Sequence, residues 1–183
     1  ITPIDPVCVN LYPFRETVAR GDVTLAEALE QIDIGGPALI RSAAKNHPAV
    51  AVVVNPERYP ALLAELTAKG GSLSDRTRAA LAAEAFRHTA LYDAAVGAYL
   101  GQEGALPFPP VLVLTAEKVQ DLRYGENPHQ AGALYRLPGQ GGLGQARQHQ
   151  GKELSYNNVL DCHAAWGTAH DLPAAGCVII KHT

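Results

Sequence analysis

The decapeptide Gly101–Pro110 (Gly-Gln-Glu-Gly-Ala-Leu-Pro-Phe-Pro-Pro) constrains the folding of this chain more than any other stretch. Glycine ends a helix readily, and three prolines within four residues remove N–H donors and block a continuing helix or central strand. The segment therefore reads as a linker. On a chain of 183 residues, enough for one medium domain or two small ones, it implies a division into residues 1–106 and 107–183.

Before the linker the patterning alternates between strand and helix. Val7–Leu11 is a short apolar run expected as a buried strand, ending at Tyr12-Pro13-Phe14. Thr24-Leu25-Ala26-Glu27 forms a capping box, opening a helix that runs through about Gln31. Gly35-Gly36-Pro37 gives a tight turn with proline in the first turn of a helix over Ala38–Asn46. Ala49–Val54, continuous and valine-rich, predicts a strand buried on both faces. Asn55-Pro56 caps a helix to about Lys69, stopped by Gly70-Gly71, and Ser74–Leu100 reads as one long helix burying Leu81, Phe86, Ala90 and Val96.

After the linker the pattern predicts a strand at Val111–Thr115, a polar loop and a strand at Ala133–Arg136. A Gly/Gln-rich mobile surface segment over Gly139–Gln150 follows, then a helix over Leu160–Asp171 and a buried strand at Cys177–Lys181. Strands alternating with helices make the class α/β. No internal repeat is present. The chain contains no methionine, opens on Ile1-Thr2-Pro3-Ile4 and closes on Cys177–Thr183, an apolar run turning polar. Domain boundaries usually fall in polar linkers, so the expectation is an internal piece of a longer protein.

Composition excludes several classes. With 47% hydrophobic and 18% charged residues, the chain is expected to be globular and soluble. No apolar run approaches the ~20 residues of a membrane span. A net charge of −3 with mixed signs argues against nucleic-acid binding. Cys8, Cys162 and Cys177 are few and irregularly spaced, which suits a reducing cytoplasm rather than a disulfide framework.

Two constellations carry chemistry. Asn10 and Tyr12 stand at a strand end, where ligands collect in open α/β sheets. Asp33 precedes the Gly35-Gly36 helix start, whose free N–H groups would favour an anion or an oxyanion. Lys45, near the other end of that helix, is a candidate acid or base. The bland alternatives are a helix cap for Asp33, a core edge for Tyr12 and a cation at a helix C-terminus for Lys45.

The second constellation is Leu122–Gln130 (Leu-Arg-Tyr-Gly-Glu-Asn-Pro-His-Gln) together with Lys181-His182 and the later Tyr156-Asn157-Asn158. So dense a polar run suits a small ligand bearing phosphate or carboxylate, clasped by Arg123, or else a self-satisfied surface turn. His182 is the natural general base, with Lys181 beside it. Cys162, His163, His170, Cys177 and His182 raise zinc, but their spacing fits no usual ligand pattern and no metal is expected.

The motifs Val9–Phe14 (VNLYPF), Gln31–His47 (QIDIGGPALIRSAAKNH), Phe86–Asp93 (FRHTALYD), Leu122–Gln130 (LRYGENPHQ), Leu154–Asn158 (LSYNN) and the terminal VIIKH come in this order. Together they resemble the bifunctional AICAR transformylase/IMP cyclohydrolase family over essentially the whole chain. The resemblance implies the end of a methylglyoxal-synthase-like cyclohydrolase domain joined to the start of a cytidine-deaminase-like transformylase domain. It implies formyl transfer from the co-substrate 10-formyltetrahydrofolate to AICAR, then closure of FAICAR to IMP with loss of water. The parent would be a cytoplasmic homodimer.

By motif, Asn10, Tyr12, Asp33, Gly35 and Gly36 would line the cyclohydrolase site, with Lys45 assisting proton transfer. Arg123, Tyr124 and Asn158 would hold the AICAR nucleotide, His182 would take the amine proton and Lys181 would stabilise the transition state. The competing expectations are an inactive nucleotide-binding or interaction fragment of that enzyme and, third, a zinc-binding module.

Overall fold

A computed structural model describes residues 4–103 and 108–182. The expected boundary between residues 106 and 107 lies outside them, as do Ile1–Pro3 and Thr183. The chain divides into two compact units, Ile1–Val111 and Leu112–Thr183.

The first unit is built on a parallel pair, β1 (Pro6–Cys8) and β2 (Ala51–Val53), with Val7 opposite Val52. Parallel strands require a long crossover, supplied here by α1 (Phe14–Val18), α2 (Leu25–Glu30) and α3 (Gly35–Lys45). A 3-10 turn at Pro56–Arg58, α4 (Tyr59–Ala68) and the long α5 (Asp75–Glu103) follow.

The valine run behaves as its composition requires. Alternate residues of a strand face opposite ways. Val52 and Val54 enter a core with Ile40, Ala43, Ala44, Ala82 and Ala85. Ala51 and Val53 face Leu81, Leu62 and Leu73. Ile40, Ala43 and Ala44 form the inward stripe of α3, at the i, i+3, i+4 spacing of an amphipathic helix. A third cluster joins Phe14 and Ala28 to Tyr92 of α5, and the Phe14 ring meets those of Tyr92 and Tyr99 edge-on.

Several expectations need correction. The strand read over Val7–Leu11 is paired only at Pro6–Cys8, although Val9 continues the ladder by donating to Val53 C=O at 3.0 Å. Only one of its faces is covered: Val7, Val9 and Leu11 pack on the core, while Cys8, Asn10 and Tyr12 are exposed. Helix α1 was not anticipated, since Pro13 precedes a single turn too short to show a period. Phe86 and Ala90 are exposed, because the inward stripe of α5 runs Leu81, Ala85, Thr89, Tyr92. One residue beyond Ala85 is a rotation of about 100°.

The capping chemistry is as read. Thr24 and Glu27 make a reciprocal capping box, and Asn55 accepts from the Glu57 N–H at 3.0 Å. Arg78 fastens α5 to both flanking turns, donating to the carbonyls of His47, Pro48 and Leu73 and to the Asp75 carboxylate.

The second unit holds an antiparallel hairpin, β3 (Glu117–Leu122) and β4 (Gly132–Arg136), with an irregularity between Lys118 and Gln120, and the helix α6 (Tyr156–His170). The strand at Ala133–Arg136 is present one residue longer. Helix α6 begins four residues earlier than Leu160, since Ser155 and Asn158 form a capping box. Val111–Thr115 is not a strand, and Val111 to Leu114 are 64–74% exposed. Nor is Cys177–Lys181, where Ile179 is 91% exposed. A strand needs a hydrogen-bonded neighbour, and neither run has one among the described residues.

Glu65 of α4 anchors the start of α5. Its carboxylate accepts from the Thr77 hydroxyl at 2.6 Å, the Ser74 N–H at 2.9 Å and Lys69 Nζ at 2.9 Å. These bonds, that of Thr77 first, lower its pKa from 4.5 to about 2. A depressed carboxylate stabilises the fold above its unfolded pKa and loses that contribution as pH falls through the folded value. Glu65→Gln is therefore expected to flatten the fall in stability between pH 4.5 and 2, measured by urea titration at each pH. An unchanged slope would remove Glu65 as the source.

Candidate functional site

The carboxyl end of the parallel pair opens onto a cleft of about 240 Å³ lined by Asn10, Leu11, Tyr12, Pro13, Phe14, Arg15, Glu16, Val54, His88 and Tyr92. Ligands of open α/β sheets sit at this edge. Asn10 and Tyr12 reach it because the ladder makes its last bond at Val9, and Pro13 then turns the chain into α1.

Asp33 holds the turn behind the cleft. Its Oδ1 accepts from the Gly36 N–H at 2.7 Å, and its Oδ2 accepts from the Tyr12 N–H at 3.4 Å. The Asp33 N–H donates to the Tyr92 hydroxyl at 2.8 Å, which in turn donates to Gln31 C=O at 2.9 Å. Burial raises the pKa of Tyr92 and the bond from the Asp33 N–H opposes it, so the phenol stays protonated. A Cβ on Gly36 would stand 2.6 Å from Leu11 Cδ2 and 2.7 Å from Asp33 Oδ2. Glycine is thus what lets the carboxylate and Leu11 close on the helix start.

The expectation of free N–H groups at this helix start is corrected at Gly36, whose donor is occupied by Asp33. A carboxylate already seated there also repels a second anion. Asn10, Tyr12, Asp33 and Gly35-Gly36 are brought together. Lys45 is not: it is exposed at the far end of α3, a rise of about 15 Å from Gly35 at 1.5 Å per residue.

In the second unit the Arg123–Ala131 segment closes the hairpin. Gly125 N–H donates to Gln130 C=O at 2.7 Å, and the Gln130 amide oxygen accepts from the Asn127 N–H at 2.9 Å. This part of the loop satisfies itself. Added Cβ atoms at Gly125 and Gly132 would meet Ala131 O at 3.0 Å and Gly125 Cα at 3.2 Å, so the two ends of the loop lie in contact.

Arg123 and Tyr124 present the open side. The guanidinium carbon lies 4.9 Å from the Tyr124 ring centroid, and Nη2 donates to the phenol at 3.3 Å. The Ser155 hydroxyl, then Arg123, lowers the Tyr124 pKa. The loop is tied to the start of α6: Arg123 N–H donates to Leu154 C=O at 2.8 Å, and Tyr156 N–H to Tyr124 C=O at 3.1 Å. Asn158 sits beside this junction, with Oδ1 accepting from the Ser155 N–H at 3.1 Å. Lys181 is exposed, and His182, at φ 56°, places Nδ1 3.4 Å from Asp161 Oδ2 on α6. The sequence reading did not single out Asp161, Ser155 or Tyr92. Ser155 was legible as a cap five residues before the helical pattern.

No three His, Cys, Asp or Glu side chains gather as metal ligands among the described residues, and Cys162 and Cys177 are free and exposed. No helix among them is long and apolar enough to cross a membrane.

An α/β chain with a cleft at its parallel strand ends is the class these features define. The chain belongs to the AICARFT/IMPCHase bienzyme family, whose profile matches residues 43–183. It is 51% identical over 189 residues to the bifunctional purine biosynthesis protein PurH of Desulfitobacterium hafniense, covering 98% of this chain and 36% of that protein. It is 50% identical over 184 residues to PurH of Bacillus cereus, covering 100% of this chain and again 36% of the relative. The chain thus spans about a third of the length of the curated relatives it matches. A crystal structure of ForH overlaps 57% of this chain and 54% of its own at 35% identity, with a TM-score of 0.49.

Tyr92→Phe would strand the Asp33 N–H and the Gln31 carbonyl together. An unsatisfied buried group costs about 1–3 kcal/mol, and a loss in that range is expected in urea unfolding of the variant. No measurable loss would mean that water replaces the hydroxyl.

Proposed function

We propose that the protein carrying this chain catalyses the last two steps of purine nucleotide synthesis. The first transfers a formyl group from 10-formyltetrahydrofolate to the amine of AICAR. The second closes FAICAR to IMP. The observation that supports this most strongly is the identity of about half over essentially the whole chain to PurH proteins. The first unit would be the end of a methylglyoxal-synthase-like cyclohydrolase domain, and the second the start of a cytidine-deaminase-like transformylase domain. The parent would act as a cytoplasmic homodimer.

In formyl transfer the AICAR amine nitrogen attacks the formyl carbon and loses a proton, and the bond to N10 of the folate breaks as N10 gains one, releasing neutral tetrahydrofolate. His182 takes that proton, and its approach to Asp161 supports an imidazole held for the task. Lys181 offsets negative charge on the formyl oxygen. Arg123, Tyr124 and Asn158 hold the nucleotide, Arg123 as a bidentate donor to phosphate.

In cyclisation the carboxamide nitrogen attacks the formyl carbon already beside it, and the former formyl oxygen leaves as water. The nucleophile is weak, so the protein contributes chiefly by positioning. Asn10 and Tyr12 contact the substrate in the cleft. Asp33 and the Gly35-Gly36 turn set the position of Tyr12, in keeping with the bonds Asp33 makes. Lys45 is assigned to proton transfer by motif alone, its distance along α3 being the least supportive feature.

The two steps are separable by variants of the full-length protein. His182→Ala should lower formyl transfer by about 10²–10⁴-fold, the usual contribution of a general base, and leave cyclisation of supplied FAICAR unchanged. Tyr12→Phe should do the reverse. Variants that impair both steps alike, or neither, would contradict the assignment. Binding of AICAR without turnover in the wild-type protein would favour the non-catalytic reading.

A further inference from the structure

Helix α5 turns one stripe inward, and each polar group on it is accounted for but one. The Thr89 hydroxyl donates to Phe86 C=O at 3.2 Å. The Tyr92 hydroxyl both accepts and donates in the Asp33 turn. His88 lies between Ala85 and Tyr92 on this face, and its Nε2 is shut off from solvent with no hydrogen-bond partner. Among the described residues it is the one buried side-chain nitrogen or oxygen in that condition. A leucine of similar bulk would pack there without the penalty of an orphaned nitrogen. Packing alone therefore does not account for a histidine.

The ring also borders the cleft that Asn10, Tyr12, Val54 and Tyr92 line. Burial lowers its pKa, more than the Glu84 carboxylate one turn away raises it. Below its usual value, the imidazole is neutral at pH 7, with one nitrogen donating and the other accepting. A neutral, half-buried ring suits an uncharged polar edge better than a phosphate. Glu16 and Asp33 beside the cleft point the same way, since each disfavours an anion, with Arg15 the one cation of its lining.

We propose that His88 is a ligand-contacting residue of this cleft, its ring turning on ligand binding so that Nε2, buried in this structure, pairs with the heterocycle or carboxamide edge of the nucleotide. The inference rests on the reading of the cleft as the cyclisation site. The orphaned nitrogen acquires its partner when the nucleotide binds, so His88 contributes to recognition of the base rather than to the stability of the empty fold.

The test is cyclisation of FAICAR by the full-length protein, with IMP as product inhibitor, for Asn10→Ala, His88→Leu and His88→Gln. His88→Leu should raise both the KM for FAICAR and the IMP inhibition constant about 3- to 10-fold, the worth of one neutral hydrogen bond. Its thermal midpoint should be equal to or above that of the wild type, because the orphan is gone. His88→Gln, which keeps a polar amide, should recover part of the affinity.

An unchanged KM and inhibition constant in His88→Leu, with both raised in Asn10→Ala, would overturn the role of His88 alone. Both variants unchanged would overturn the cyclisation site itself. Should His88→Leu fail to fold, the 15N resonances of the wild-type His88 imidazole decide the matter. They should move on addition of IMP, and stationary resonances would overturn the proposal.

Discussion

The hydroxyl of Tyr92 sits between two backbone groups of one turn, accepting from the Asp33 N–H and donating to the Gln31 carbonyl. Through that turn the long helix α5 fixes the start of α3. The Asp33 carboxylate then passes the constraint on, holding Gly36 on one oxygen and Tyr12 on the other. Strand end, helix start and long helix are thereby joined around a residue that is itself 7% exposed. Tyr92 is half core and half polar connector: its ring packs on Phe14 and Ala28, and its tip satisfies a turn that water would otherwise have to solvate.

The second unit follows the same logic on a smaller scale. Ser155, 1% exposed, caps α6 through Asn158 and lowers the pKa of the Tyr124 phenol. The junction between hairpin and helix is made by backbone bonds from Arg123 and to Tyr124. Arg123 and Tyr124 are thus set by main-chain geometry, leaving the guanidinium to stack on its neighbour at the surface. Asn158 serves the helix cap first, and any ligand contact it makes must come from the amide group the cap leaves over.

Much of this was legible in the residues, and the failures share a cause. Local signals held: the Thr24 capping box, the Asn55 cap, the proline at the start of α3 and the β-branched run of β2 all depend on neighbours in sequence. Partner-dependent signals did not. Val111–Thr115 and Cys177–Lys181 have strand composition, but no neighbour among the described residues hydrogen-bonds to either. The burial of α5 was misjudged at Phe86 and Ala90 because an alanine-rich helix offers almost no contrast to show which stripe turns inward. At the cleft, Asn10, Tyr12 and Asp33 could be picked out as polar residues at element ends. His88 could not, since only the fold shows that its nitrogen is buried without a partner.

The central claim is that the strand end at Asn10–Glu16, the Gln31–Gly36 turn and the His88–Tyr92 face of α5 form one nucleotide site. Hydrogen–deuterium exchange of the full-length protein, with and without IMP, reads all three segments at once. The account predicts slower exchange on all of them when IMP binds. Unchanged exchange there, with protection appearing only elsewhere, would contradict it.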